Sequence, residues 1–105
     1  MFQGDSRINE KDILWEELKS KCPIGTKIKG KVVDVTHFGL FIDIGYGHRP
    51  SKELTGIIEI VASKSLPKDM ALWPKVGDFV IGEVFFFREN LKEVDLRLVS
   101  VASKE

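Results

Sequence analysis

Between Gly30 and Gly45 the chain carries two β-patterned runs that meet at a Phe38-Gly39 pair, and nothing else in it restricts the fold so strongly. Leu40, Ile42 and Ile44 alternate with Phe41 and Asp43, so a strand here buries the aliphatic set and turns a phenylalanine and a carboxylate outward. In the run before it, Ile28, Gly30 and Val32 share one face and Lys27, Lys29 and Lys31 the other. The phase then shifts at Val33, as a β-bulge or a sharply coiled barrel corner requires. An outward ring needs a reason. Either Phe41 is covered by the N-terminal segment or a long loop, or Phe38 and Phe41 form a platform for unstacked nucleobases, each stack contributing roughly 1–3 kcal/mol.

The same alternation, broken by glycine turns, extends through most of the chain. Strands are expected over residues 26–35, 39–44, 55–61 and 79–87, with a fifth in which Val94, Leu96 and Leu98 alternate with Asp95 and Arg97. Residues 70–73 suit one helical turn before Pro74, and Asn90 suits the turn after the fourth strand. Phe85, Phe86 and Phe87 cannot all face inward in a regular strand, so a bulge or the N-terminal helix must cover the odd ring. That helix is read from residues 6–21. Asn9 caps it with Asp12 reaching back, Ile13, Leu14, Trp15 and Leu18 gather on one side, and Glu17 and Lys21 are spaced for an ion pair. Cys22-Pro23 stops it, because the residue before a proline avoids the α region. Its apolar side is expected to pack across one end of the barrel, a dimer contact being the alternative. Five strands with a helical turn between the third and fourth follow the OB-fold plan, giving an all-β, five-stranded barrel with an additional N-terminal α-helix. The expected division is a tail and helix at 1–23, the barrel domain at 24–100 and a C-terminal tail at 101–105.

Composition excludes several function classes. At 105 residues the chain is one domain by length, large enough to bury a core without staples. Cys22 is its only cysteine, and two histidines without a ligand cluster give no basis for a zinc site; no cofactor is expected. The N-terminal residues lack the apolar core of a signal peptide and no 18-residue apolar run occurs, so a cytoplasmic protein without membrane contact is expected. Sixteen basic and sixteen acidic side chains give zero formal net charge. Such a chain does not coat nucleic acid by charge alone, and any binding must come from local patches. No nucleophile elbow, zinc-protease motif or phosphate-cradling loop is present, and Gly45-Tyr46-Gly47 lacks the rest of a dinucleotide fingerprint, so an enzyme is not expected.

Four pieces stand in order: the stretch from Gly30 to Gly45, Leu54-Thr55-Gly56-Ile57-Ile58-Glu59-Ile60, the run from Val76 to Val84, and Val94-Asp95-Leu96-Arg97-Leu98. Together they resemble the RNA-binding domain repeated in ribosomal protein S1, over about residues 24–100. The resemblance implies a five-stranded OB barrel that binds single-stranded RNA, with Phe38 and Phe41 matching the family's two stacking aromatics. Gly30, Gly39, Gly45, Gly56 and Gly77 match its turn and barrel glycines. Three positions depart from the pattern. Glu59 stands where the family has a histidine on the third strand, Arg88 replaces an acidic residue at the end of the fourth, and Glu93 replaces a basic one at the start of the fifth.

The expected RNA-contacting set is therefore Phe38, Phe41, Lys27, Lys29, Lys31, Glu59 and Arg88, with Tyr46, His48, Arg49 and Lys52 from the segment beside the rings. For the three lysines the competing reading is an edge strand protected from aggregation. Single-stranded RNA is the expected partner, single-stranded DNA a second, and the N-terminal helix a candidate contact for a protein. The three departures support an alternative function, a protein-interaction module on an OB barrel that has lost or weakened RNA binding.

Overall fold

A computed structural model describes residues 10–45 and 54–102. Helix α1 (Glu10–Lys21) leads into β1 (Lys27–Thr36), β2 (Gly39–Asp43), β3 (Thr55–Glu59), a short helix α2 (Ile60–Ser63), a 3-10 turn (Met70–Leu72), β4 (Phe79–Arg88) and β5 (Glu93–Ala102). The strands close into a barrel in the order β1-β2-β3-β5-β4, with β3 and β5 parallel and the other pairs antiparallel. This is the five-stranded OB plan expected from the sequence.

The inward set is the one that alternation picks out. Val32, Leu40, Ile42, Ile44, Ile58, Val80, Val84, Val94 and Leu96 share one core with Leu14, Trp15, Leu18 and Trp73. The phase shift in the first strand is a bulge between Val32 and Asp34, which leaves both Val33 and Asp34 exposed. It lets one long strand pair with β4 through Lys27–Lys31 and with β2 through Lys31–Thr36. Only Lys31 has partners on both sides, whereas Lys27 and Lys29 pair with β4 alone, as an edge segment does.

Helix α1 packs across the barrel end beside the β4–β5 turn. Trp15 meets the Phe87 ring edge-on at 5.7 Å between centroids and donates its indole N–H to Glu89 Oε1 at 2.8 Å. Lys19 Nζ adds an ion pair to Glu89 at 2.8 Å, and Lys19, then the Trp15 indole, hold the Glu89 carboxyl below the usual glutamate range. The expected Glu17–Lys21 pair forms at 3.2 Å. Ile13 is a correction: at 57% exposure it points to solvent while Leu14, Trp15 and Leu18 turn inward. The expected cap, Asn9, lies outside the described residues. Of the three consecutive phenylalanines, Phe87 lies under Trp15, Phe85 carries the Arg97 guanidinium 4.7 Å above its ring, and Phe86 is exposed after a register shift between Val84 and Phe86.

The third strand is shorter than its β-rich sequence suggests. It ends at Glu59, where the Ile60 N–H bonds to the Phe38 carbonyl and Ser63 Oγ donates to the Glu59 carbonyl at 2.6 Å, so Ile60 and Val61 enter α2. The helical turn expected near residue 70 is the 3-10 turn, with Asp69 Oδ1 accepting from the Ala71 N–H at 3.0 Å. At the other end of the sequence, β5 runs past residue 100, because Val101 and Ala102 still pair with Val80 and Phe79.

Candidate nucleic-acid interface

A two-residue turn, His37-Phe38, joins β1 to β2. Thr36 holds it in shape: its hydroxyl donates to the Gly39 carbonyl at 3.2 Å and accepts from the Phe38 N–H at 3.3 Å. Gly39 follows because β2 and β3 touch there. A Cβ on it would lie 2.3 Å from the Ile58 carbonyl oxygen and 2.9 Å from Glu59 Cα, and both of these are backbone atoms with nowhere to go. This close approach puts the turn and its ring beside the end of β3.

Phe38 is 43% exposed and Phe41 is half-buried on the outer surface of β2. Their centroids lie 6.4 Å apart with the planes inclined at 64°. His37 packs edge-on against Phe38 at 5.3 Å between centroids. Two rings at that inclination are not one flat platform. They offer separate faces, so a base stacked on one abuts the edge of the other.

The two flanks of the rings differ in charge. On the β3–β5 side, Arg88 Nη2 donates to Glu59 Oε1 at 2.9 Å, and Arg88 Nε lies 2.7 Å from Asp95 Oδ1. Arg88 is the counter-charge of this Oδ1, and no other donor among the described residues reaches it. Burial pushes the Asp95 carboxyl above the usual aspartate range, against the opposing pull of Arg88. Glu59 and Arg88 are thus brought together as partners of each other. Glu93 is aligned with Arg88 on one side and Thr55 on the other, adding a third carboxylate to this flank. On the β1 side, Lys27, Lys29 and Lys31 are all exposed. Lys29 and Lys31 hold their ammonium groups 5.2 and 6.0 Å from the centre of the Phe79 ring.

Tyr46, His48, Arg49 and Lys52 lie outside the described residues. Three residues at this surface carry no sequence signal of their own. His37 is a turn residue, Phe79 opens a strand, and Asp95 alternates with aliphatics like any outward polar position. Only the cross-strand register gives them a role.

The Glu59–Arg88–Asp95 group yields a pH-dependent prediction. Arg88→Met keeps the side-chain stem and removes the charge, leaving a buried Asp95 and a neighbouring Glu59 uncompensated. As Arg88 is a quarter exposed, the expected loss at neutral pH is about 2 kcal/mol rather than the larger figure for a fully buried pair. A carboxyl whose folded pKa lies above its unfolded value penalises the fold above that pKa, and the penalty fades as pH falls through it. The deficit relative to wild type should therefore shrink between neutral pH and pH of about 4, as read by urea denaturation. A deficit that grows on acidification would contradict this account.

With the geometry described, comparisons place the chain among known proteins. The family model described as the S1 RNA binding domain matches residues 21–50, a segment that contains both rings. The resemblance read from the sequence is confirmed there, and the fold agrees with it. GSP13 from Bacillus subtilis superposes with a TM-score of 0.57 at 24% identity, covering 71% of this chain and 54% of that one. RNase R of Mycoplasma genitalium, solved in complex with ribose methylated single-stranded RNA, gives 0.61 at 17% identity over 85% of this chain and 15% of that one. The intact α subunit of aIF2 from Pyrococcus abyssi gives 0.53 at 19% identity, covering 70% and 27%. At such identities the likeness is one of fold, and the chain spans about half the length of GSP13. No curated protein matches the sequence significantly. Among the described residues no helix is long and apolar enough to cross a membrane.

Proposed function

We propose that this chain is a single-stranded RNA-binding module whose contact surface is centred on Phe38 and Phe41. The observation that carries the reading is the pair itself. Two phenylalanines, one of them 43% exposed, are held outside a barrel with a full core, by a tight turn and the close approach of β2 to β3 at Gly39. Rings so placed bind bases because every base has a π-face, and the Lys27, Lys29 and Lys31 row supplies cations for the backbone. The family match over residues 21–50 and the RNA complex of the RNase R neighbour support the same class of ligand. Tyr46, His48, Arg49 and Lys52 follow β2 directly in the chain and are assigned to this surface on sequence grounds. The module acts by binding, in the cytoplasm, without a cofactor.

A titration of the isotope-labelled chain with short single-stranded RNA tests the proposal. Amide shifts are expected at residues 36–43 and along β1. A net-neutral chain with few local cations neutralises about two to four phosphates, so log affinity should fall against log salt with a slope of roughly −1.5 to −3. If no RNA or DNA oligomer moves the amides around Phe38 and Phe41 at low salt and high concentration, the reading fails and a protein-interaction module takes its place. In that case α1 is a poor docking element, since its apolar side already serves its own barrel and leaves Ile13 as its exposed large aliphatic.

A further inference from the structure

We infer that an RNA strand seated on Phe38 and Phe41 leaves them toward β1 and β4, where Lys29 and Lys31 above the Phe79 ring hold one of its phosphates. This inference rests on the RNA-binding reading above and specifies the path of the strand.

The two ways off the rings are not equivalent. Toward β3 and β5 the strand would meet three carboxylates, Glu59, Asp95 and Glu93, with the Arg88 guanidinium paired to two of them and that of Arg97 laid over Phe85 and donating to the Ser63 carbonyl. A phosphate entering there competes with a formed ion pair and faces like charge at close range. Toward β1 the situation is reversed. No carboxylate among the described residues pairs with Lys29 or Lys31, and both ammonium groups share a single ring. Two like charges held beside one ring repel each other, and the ring offsets this only in part. An anion between them removes the repulsion.

Distance and shape agree with this direction. Asp43 lies two residues beyond Phe41 on the same face of β2 and is aligned with Lys31, which is aligned in turn with Phe79. Two residues along a strand and one strand across amount to about 8 Å between backbones, within reach of a lysine side chain. A recess of about 370 Å³ sits there, lined by Lys29, Gly30, Lys31, Asp43, Gly45 and Phe79. Gly45 leaves it open, having empty space where a Cβ would stand. Among the described residues Asp43 is the one carboxylate on its wall, and its Oδ1 is turned back to accept the Gly45 N–H at 3.0 Å. With both ammonium groups over Phe79, that ring is covered against a base, which is why the recess suits a phosphate and its ribose rather than a third stack.

Oligomer length isolates the subsite. Uridine dinucleotides and hexamers are titrated into the full chain and into K29Q/K31Q, at about 50 and 200 mM salt. For the wild type the hexamer is expected to bind at least about tenfold tighter than the dinucleotide, because two stacked bases occupy the rings and only the longer strand carries a further phosphate to the lysine pair. In K29Q/K31Q this advantage should fall below about threefold, and the hexamer's log–log salt slope should flatten by about 0.7, the value for one single-strand phosphate contact. Both lysines are exposed, so melting of the variant should match the wild type and report that the barrel is intact. A hexamer advantage and slope unchanged in K29Q/K31Q would overturn the inference, as would a wild type that binds both lengths equally, and in either case RNA binding at the rings stands. If neither oligomer binds the wild type, the RNA reading falls and the inference with it.

Discussion

Trp15→Ala is expected to lower the stability of the folded chain by about 3–5 kcal/mol, the range for removing a large buried aromatic. Trp15 is 1% exposed, closes over Phe87 and makes the indole bond to Glu89, so the variant loses a filled volume, an edge-to-face pair and a hydrogen bond together. It also strips the Lys19–Glu89 pair of the ring beside it, since Lys19 Nζ lies 5.6 Å from the Trp15 centroid. For a domain of this size, with a total stability of about 5–15 kcal/mol, that is a large fraction. The melting temperature should drop by at least about 12 °C. Circular dichroism at 222 nm during urea denaturation distinguishes two ways of losing it. Cooperative unfolding with an unchanged m-value means α1 and the barrel remain one unit, whereas loss of helix signal before the main transition means α1 detaches alone. Trp15→Phe should recover most of the packing and none of the hydrogen bond. A loss below about 1 kcal/mol in the alanine variant would show that α1 does not belong to the core.

The second large effect concerns ligand binding. Phe38→Ala with Phe41→Ala should weaken binding of single-stranded RNA by about 2–4 kcal/mol, roughly thirtyfold to nearly a thousandfold, while the barrel still melts cooperatively. Phe38 contributes little to stability at 43% exposure, and Phe41, half-buried on the outside, contributes modestly. Because the rings touch at 6.4 Å, the single variants should not sum to the double: removing Phe41 deprives Phe38 of the neighbour that orients it. Equal affinity in the wild type and the double variant would exclude stacking at this site.

Much of the fold is legible in the chain itself because its signals are local. The alternation of Leu40, Ile42 and Ile44 marks the buried face of β2, and the break in phase at Val33 marks the bulge found there, between Val32 and Asp34. Proline and glycine mark the ends of α1 and of the strands, since each limits its own backbone or its neighbour's whatever lies elsewhere in the chain. The phenylalanine triplet shows in the same way that one ring must be displaced.

The features that local pattern misplaces depend on partners distant in sequence. Ile13 looks like part of the apolar side of α1, yet which residues turn inward is decided by where Phe87 and Glu89 stand, more than 70 positions away. Ile60 and Val61 favour a strand on propensity, and the turn of α2, closed by the Lys64 N–H on the Ile60 carbonyl and the Ser63 hydroxyl on the Glu59 carbonyl, takes them out of it. Of the three lysines of β1, barrel closure gives only Lys31 a partner on both sides.

Alternation, glycine and proline act within a few residues of where they stand, so the barrel, its buried face, its bulge and the two outward rings are all written in the order of amino acids. The charge around those rings is not. Glu59, Arg88 and Asp95 read separately as three unrelated surface charges, and the parallel pairing of β3 with β5 and the antiparallel pairing of β5 with β4 make them one ion-paired group. The same closure sets Lys29 and Lys31 over Phe79, some fifty residues on. Cross-strand register follows from how the whole sheet closes, so its electrostatic consequences appear only when every strand is in place.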